Sequence, residues 1–242
     1  MWPQKTIREP IIMQSQLPLP HGTSRYPRWL LIGFWACVAI SIAVVIRRIV
    51  ALMGPPNAGT TPNAEINATF SSHAALTMAH IIPAAVFVLL AVAVLFRVSR
   101  GKWIQRLFFV FGAITGITAY AMNQYAIGGW IERSAVLVFN TWFLVSITCA
   151  LSFYLRNDPA KQRVWTTRAI GILLGIATTR PVMGMFFATS TLTHLSPRQF
   201  FGIAFWIGFS VNALVTELWL HSKTRAQLHA GDLRKPQLRA SA

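Results

Sequence analysis

His80 and Arg180 are the two side chains of this 242-residue chain hardest to reconcile with their neighbours. Each stands in an apolar run, His80 within Ala74 to Phe96 and Arg180 within Arg168 to Ala188. An ionisable group in hydrocarbon costs several kcal/mol, so each calls for a partner or a purpose. An imidazole there can ligate haem iron, relay a proton or hydrogen-bond to a neighbouring helix. A guanidinium can receive an anionic or carbonyl-bearing ligand, or tie helices together. At about 1.5 Å per residue, Arg180 lies roughly 18 Å along its helix from Arg168, in the far half of a core about 30 Å thick. His80 descends roughly 10 Å from the boundary on that far side, to a matching depth. Other polar groups arrive near the same level: Tyr120, Asn123 and Gln124 late in the third apolar run, Asn140 and Thr141 in the fourth, Thr178 and Thr179 beside Arg180. The candidate ligand-binding residues are therefore His80, Arg180, Tyr120, Asn123, Asn140 and Thr179. His73 shares the face of His80, with Thr77 between them. Pro181 lacks an N–H and is expected to kink or end the helix at Arg180, freeing a carbonyl.

Other chemistries find less support. Haem b ligated by two histidines needs a second deep one, and His194, His221 and His229 lie in the last loop, at a helix exit and in the tail; haem b is thus the disfavoured alternative, and the cofactor stays unknown. The acids Glu65, Glu132, Asp158 and Glu217 are scattered, so no pair of carboxylates for acid and base work is visible. Glu217 falls nearer the opposite end of its run and is not expected to reach Arg180. With no HExxH, Gly-rich phosphate loop or nucleophile elbow, no catalytic or metal residue is assigned and the chain is not read as an enzyme. Cys37 and Cys149 lie in apolar runs and read as buried thiols.

The elements that must position these residues follow from composition. Hydrophobic residues make up 54% and charged residues 12%, against about 25% charged in soluble domains. Six runs are long enough to cross a bilayer, at residues 29–53, 74–96, 103–122, 134–155, 168–188 and 200–220. The expected fold is an all-α membrane protein: a bundle of six transmembrane helices over 29–220, after a polar arm (1–28) and before a basic tail (221–242) expected to be disordered. The first run exceeds a signal-peptide core and is expected to be retained. The Pro/Gly/Thr/Asn-rich connector 54–73 should be irregular.

Lys and Arg concentrate in the N-terminal arm, around the second-to-third connector (Arg97, Arg100, Lys102, Arg106), around the fourth-to-fifth (Arg156, Lys161, Arg163, Arg168) and in the tail. Only Arg47, Arg48, Arg133 and Arg198 fall on the other side. Positive charge stays cytoplasmic, so both termini are expected there. Trp29, Trp103, Trp165 and Trp219 fall at the same boundary and read as interfacial anchors. The formal charge of +16 is thus a topology signal, with the lipid bilayer as partner and no nucleic acid expected. Gly112 with Gly116 and Gly171 with Gly175 form two GxxxG pairs, read as helix packing within the chain. A homodimer or a partner membrane protein seated on those faces is a further reading, in which the chain is a scaffold or accessory subunit.

Four features resemble a known family. They are His80-Ile81-Ile82-Pro83 opening the second span, Gln105-Arg106 in the third, Gly128-Gly129-Trp130 before the fourth, and Trp165-x-x-Arg168 followed by Arg180. Over about residues 70–185 the chain resembles the bacterial membrane-protein family known as domain of unknown function 2306. The resemblance implies a multi-pass protein of the bacterial inner (plasma) membrane and names no activity. Where that family usually has histidines, this chain has Gln105 and Gln162; of the family's histidines His80 alone is carried over, which weakens a redox role.

Overall fold

The computed structural model describes residues 26–54, 64–96, 101–194 and 196–240; the arm before Tyr26 and the bases Arg97 and Arg100 lie outside them. Regular structure among the described residues is helical, with no strand: α1 (Arg28–Met53), α2 (Ala64–Ser72), α3 (Ala74–Leu95), α4 (Lys102–Asn123), α5 (Gly129–Leu155), α6 (Pro159–Leu173), α7 (Gly175–Ala188), α8 (Ser190–Thr193) and α9 (Pro197–Ala240). Six stretches are long and apolar enough to cross a membrane: α1, α3, α4, α5, the α6–α7 pair and residues Arg198–Arg225 of α9. At about 1.5 Å per residue even the shortest spans a 30 Å hydrocarbon layer. The chain is a multi-pass helical membrane protein.

Local chemistry moves several boundaries from where hydropathy puts them. α5 begins at Gly129, ahead of its apolar run, because the Glu132 carboxylate accepts the Gly128 N–H at 2.7 Å and satisfies an amide that the helix start leaves open. α6 begins at Pro159, well before Arg168. Asp158 caps it by accepting the Lys161 N–H at 3.1 Å, and Pro159 takes the first position, where a missing N–H costs nothing. Part of the connector expected to be irregular is helix α2, and α9 runs on as helix through the basic segment expected to be an unordered tail, as far as Ala240.

The Lys161 amide holds the exposed Asp158 carboxyl below its usual range. A carboxyl so depressed stabilises the fold above its unfolded pKa, and the contribution fades as pH falls through the carboxylate range. Asp158→Ala is therefore expected to lower the melting temperature slightly at neutral pH, with the difference from wild type closing in acid; parallel melts at both pH values check this.

The fifth span bends in a different place from the expected one. α7 runs through Pro181 unbroken, and the interruption lies at Leu174, between α6 and α7. Gly175 fits the position: a Cβ there would lie 2.9 Å from Cα of Phe209, so the chain turns where α9 comes too close for a side chain. The break redirects the span. Below it α6 packs against α5 and α9 and touches α3, filling the middle of the bundle. Beyond it α7 has no contact with α5 among the described residues and runs between α1 and α9. On the Trp29 side the centre is thus occupied by α6, whereas on the Arg48 side α1, α3, α4, α5, α9 and α7 stand around a middle with no helix in it.

The glycine pairs are used inside this bundle. A Cβ on Gly112 would lie 2.8 Å from the Phe87 ring, one on Gly116 2.7 Å from Cγ of Leu144, and one on Gly171 3.0 Å from Cβ of Thr216. Gly112 in particular leaves room for the buried Phe87, which stacks on Phe108 at 4.6 Å and meets Phe143 edge-on at 5.5 Å.

At the Trp29 end, Trp29 and Trp103 are exposed, as interfacial rings are. Trp165 and Trp219 are half-buried and occupied: Arg168 lies 4.4 Å over the Trp165 ring, and Tyr26 stacks on Trp219 at 5.2 Å. Arg168 is more than a topology charge, since it makes a two-point ion pair with Glu217, one arm of which is 2.8 Å. Gln162 donates to Gln105 at 3.4 Å, so the two positions compared with family histidines face each other across α6 and α4.

Candidate functional site

The middle left open by the departure of α7 is a cavity of about 220 Å³. Every membrane-crossing element contributes to its wall: Ser41 and Arg48 from α1, Thr77 and His80 from α3, Thr115 and Asn123 from α4, Glu132 and Asn140 from α5, Ala177 and Arg180 from the fifth span, and Phe201, Phe205 and Phe209 from α9. Phe70 of α2 and Tyr125, beyond α4, also line it. The polar groups sit among aromatic and aliphatic side chains, the usual make-up of a ligand pocket.

Four of the six residues singled out by sequence meet on this wall: His80, Arg180, Asn123 and Asn140. The other two do not. Tyr120 instead bonds the Thr141 hydroxyl at 2.6 Å, tying α4 to α5. Thr179 is fully buried; it donates to the Ile176 carbonyl at 2.6 Å and packs against Gly208 of α9. It faces α9 because helical spacing puts it about 100° away from Arg180.

The geometry of each remaining group is specific. His80 Nδ1 lies 3.0 Å from the Thr118 hydroxyl, and that hydroxyl donates to the Ile114 carbonyl at 2.7 Å. Asn140 Nδ2 donates to the Gly116 carbonyl at 2.9 Å, and its Oδ1 has no protein partner. Asn123 Nδ2 reaches the Arg133 carbonyl at 3.4 Å, and its Oδ1 is buried without a partner, as is the Ser41 hydroxyl.

Arg180 is the least satisfied. Its Nε is buried and unpartnered, and Nη1 finds only the Met183 sulfur at 3.9 Å, a weak acceptor. Pro181, inside α7, has no N–H to donate to Ala177 O, the carbonyl four residues earlier on the segment that lines the cavity. With its Nε buried and unbonded and one poor acceptor at Nη1, the half-buried Arg180 side chain departs from the rule that buried polar groups are bonded.

Sequence reasoning missed two charged wall residues. Arg48 looked like a boundary charge beside Arg47, but its Nη1 bonds Asn67 Oδ1 at 2.9 Å and its guanidinium lies 4.1 Å over the Phe70 ring, which holds it at the cavity. Glu132 looked like an acid at a helix start; it is 8% exposed and lines the cavity. The available signal was position, because both lie within about a turn and a half of helix ends on the Arg48 side, the side of His80 and Arg180. His73, by contrast, stays off the wall and stacks on Tyr125 at 3.6 Å. No His/Cys/Asp/Glu group capable of holding a metal ion occurs among the described residues, and His80 is the one histidine on the cavity wall. No family model, curated protein or solved structure matches this chain.

Proposed function

We propose that the protein binds an amphipathic, lipid- or quinone-like molecule in the cavity, with Arg180 and His80 holding its polar end and the α9 phenylalanines its apolar body. The observation that carries this reading is the Arg180 guanidinium, its Nε without a partner among the described residues and its Nη1 on a sulfur alone, on the wall of a cavity that is otherwise largely apolar. Leaving a charged group buried without bonds costs several kcal/mol, and a ligand oxygen placed there recovers part of it. Asn140 Oδ1 and Asn123 Oδ1 add acceptors for a hydroxyl on the same molecule. A haem held by two histidines is a poorer fit, because His80 supplies one axial ligand and the wall offers no second.

The same proposal places both termini and the Arg168–Glu217 end on the cytoplasmic side of a bacterial inner membrane, so that the cavity occupies the outer half. Membership of the family known as domain of unknown function 2306 belongs to it as well, on the residues around His80 and from Trp165 to Arg180. Extraction in mild detergent followed by mass analysis of co-purifying small molecules tests the reading. Wild type is expected to retain an amphipath that Arg180→Ala and His80→Ala lose. Equal retention by both variants, or a wild type that carries nothing and is stabilised by no added amphipath, overturns it.

A further inference from the structure

Arg48 and Glu132 add two charges to a wall that already holds Arg180. None of the three is in an ion pair among the described residues, where the pairs are Lys161–Asp158 and Arg168–Glu217. Among the described residues Arg48 has one hydrogen bond, from Nη1 to Asn67, which leaves its other donors for a ligand. Glu132 has Oε2 committed to the Gly128 amide at 2.7 Å, which pins the carboxylate on the α5 side of the cavity. The flanking Arg133 is turned away, bonding the Gln124 carbonyl at 2.7 Å, and does not line the wall. The wall thus carries two guanidiniums with unused donors and one carboxyl held in place by the Gly128 amide, in a setting where water screens little.

We infer that the ligand is an anionic amphipath, a carboxylate or phosphate ester on an apolar body, whose head is held by Arg180 and Arg48. This deepens the reading of the cavity as a ligand site and rests on it. Guanidinium forks match the oxygens of both head types. The volume of about 220 Å³ is below the roughly 300–1,000 Å³ of pockets that enclose a whole drug-sized ligand. The cavity therefore takes the head and the start of the apolar body, and the rest of a long chain lies in the bilayer.

The test uses purified full-length protein in detergent, with binding read from tryptophan fluorescence and from the melting temperature. The probes are oleate and its methyl ester, phosphatidylglycerol and diacylglycerol, monododecyl phosphate, and decylubiquinone. Oleate or phosphatidylglycerol is expected to bind where its uncharged analogue does not, and whichever binds identifies the head. Arg180→Gln and Arg48→Gln should each weaken that binding by about tenfold, the loss of a charge-assisted contact. Monododecyl phosphate, a phosphate head on an apolar chain, is expected to bind through the same two arginines. Equal binding of oleate and methyl oleate and of phosphatidylglycerol and diacylglycerol, or Arg180→Gln and Arg48→Gln proteins with unchanged binding, overturns the inference. Binding of decylubiquinone without oleate or phosphatidylglycerol overturns it and leaves the cavity a ligand site, whereas failure of every probe removes both readings.

Discussion

Arg168→Ala is expected to destabilise the bundle by about 3 kcal/mol, as breaking one side of a buried ion pair does. The Arg168 and Glu217 side chains are 18% and 21% exposed and meet at two points, so the lost interaction is little screened. The truncation also removes the guanidinium from the Trp165 ring, 4.4 Å away. Most of the penalty is the uncompensated Glu217 carboxylate left among α6 and α9. Glu217→Ala should therefore cost a similar amount, and the pair Arg168→Met with Glu217→Leu should be less destabilised than either single change, since it leaves no orphan charge. Reversible unfolding in detergent or steric trapping in bicelles gives these values. Single variants within about 1 kcal/mol of wild type would mean that the pair behaves as a surface salt bridge.

Gly175→Ala and Gly208→Ala are each expected to destabilise by about 2 kcal/mol through overpacking. At Gly208 the added carbon would lie 2.6 Å from the Thr179 amide nitrogen, and at Gly175 2.9 Å from Cα of Phe209. Both neighbours are backbone, so the only relief is to part α7 from α9, the interface that carries Arg180 and the phenylalanines of the cavity. Gly33 and Gly184 are controls, because a Cβ at either meets nothing within 4 Å. Alanine there removes a helix-interior glycine and should be neutral or stabilising by up to about 1 kcal/mol. Four variants with the same melting temperature would show that α7 and α9 are not in this close contact. In the Gly175 and Gly208 variants, any ligand bound in the cavity should be weakened together with the fold.

The helices themselves were legible from hydrophobicity alone. Misplaced ends trace to polar residues with a local job, Asp158 capping α6 and Glu132 bonding the Gly128 amide at the start of α5, because a hydropathy reading treats polar residues as loop. The site was legible in part. His80, Arg180, Asn123 and Asn140 were found by asking which polar groups lie deep on one side of the membrane. Tyr120 and Thr179 passed the same question yet face other helices, since depth says nothing of direction around a helix axis. Arg48 and Glu132 were masked by having an adequate second explanation, as a topology charge and as an acid at a helix start.

By itself, then, the amino-acid sequence determined an all-helical membrane protein with six crossings and the depth at which its costly side chains lie. Both follow from the transfer of each residue to hydrocarbon and the fixed rise of a helix. The tertiary structure alone decided that the fifth span breaks at Leu174, that α7 leaves α5 for α9, and that a cavity opens where it left. The physical reason is that the break is set by the approach of Phe209 to Gly175, a contact between residues far apart in the chain. Pro181, the local signal for a kink, marks the freed carbonyl beside Arg180 rather than the bend that makes room for it.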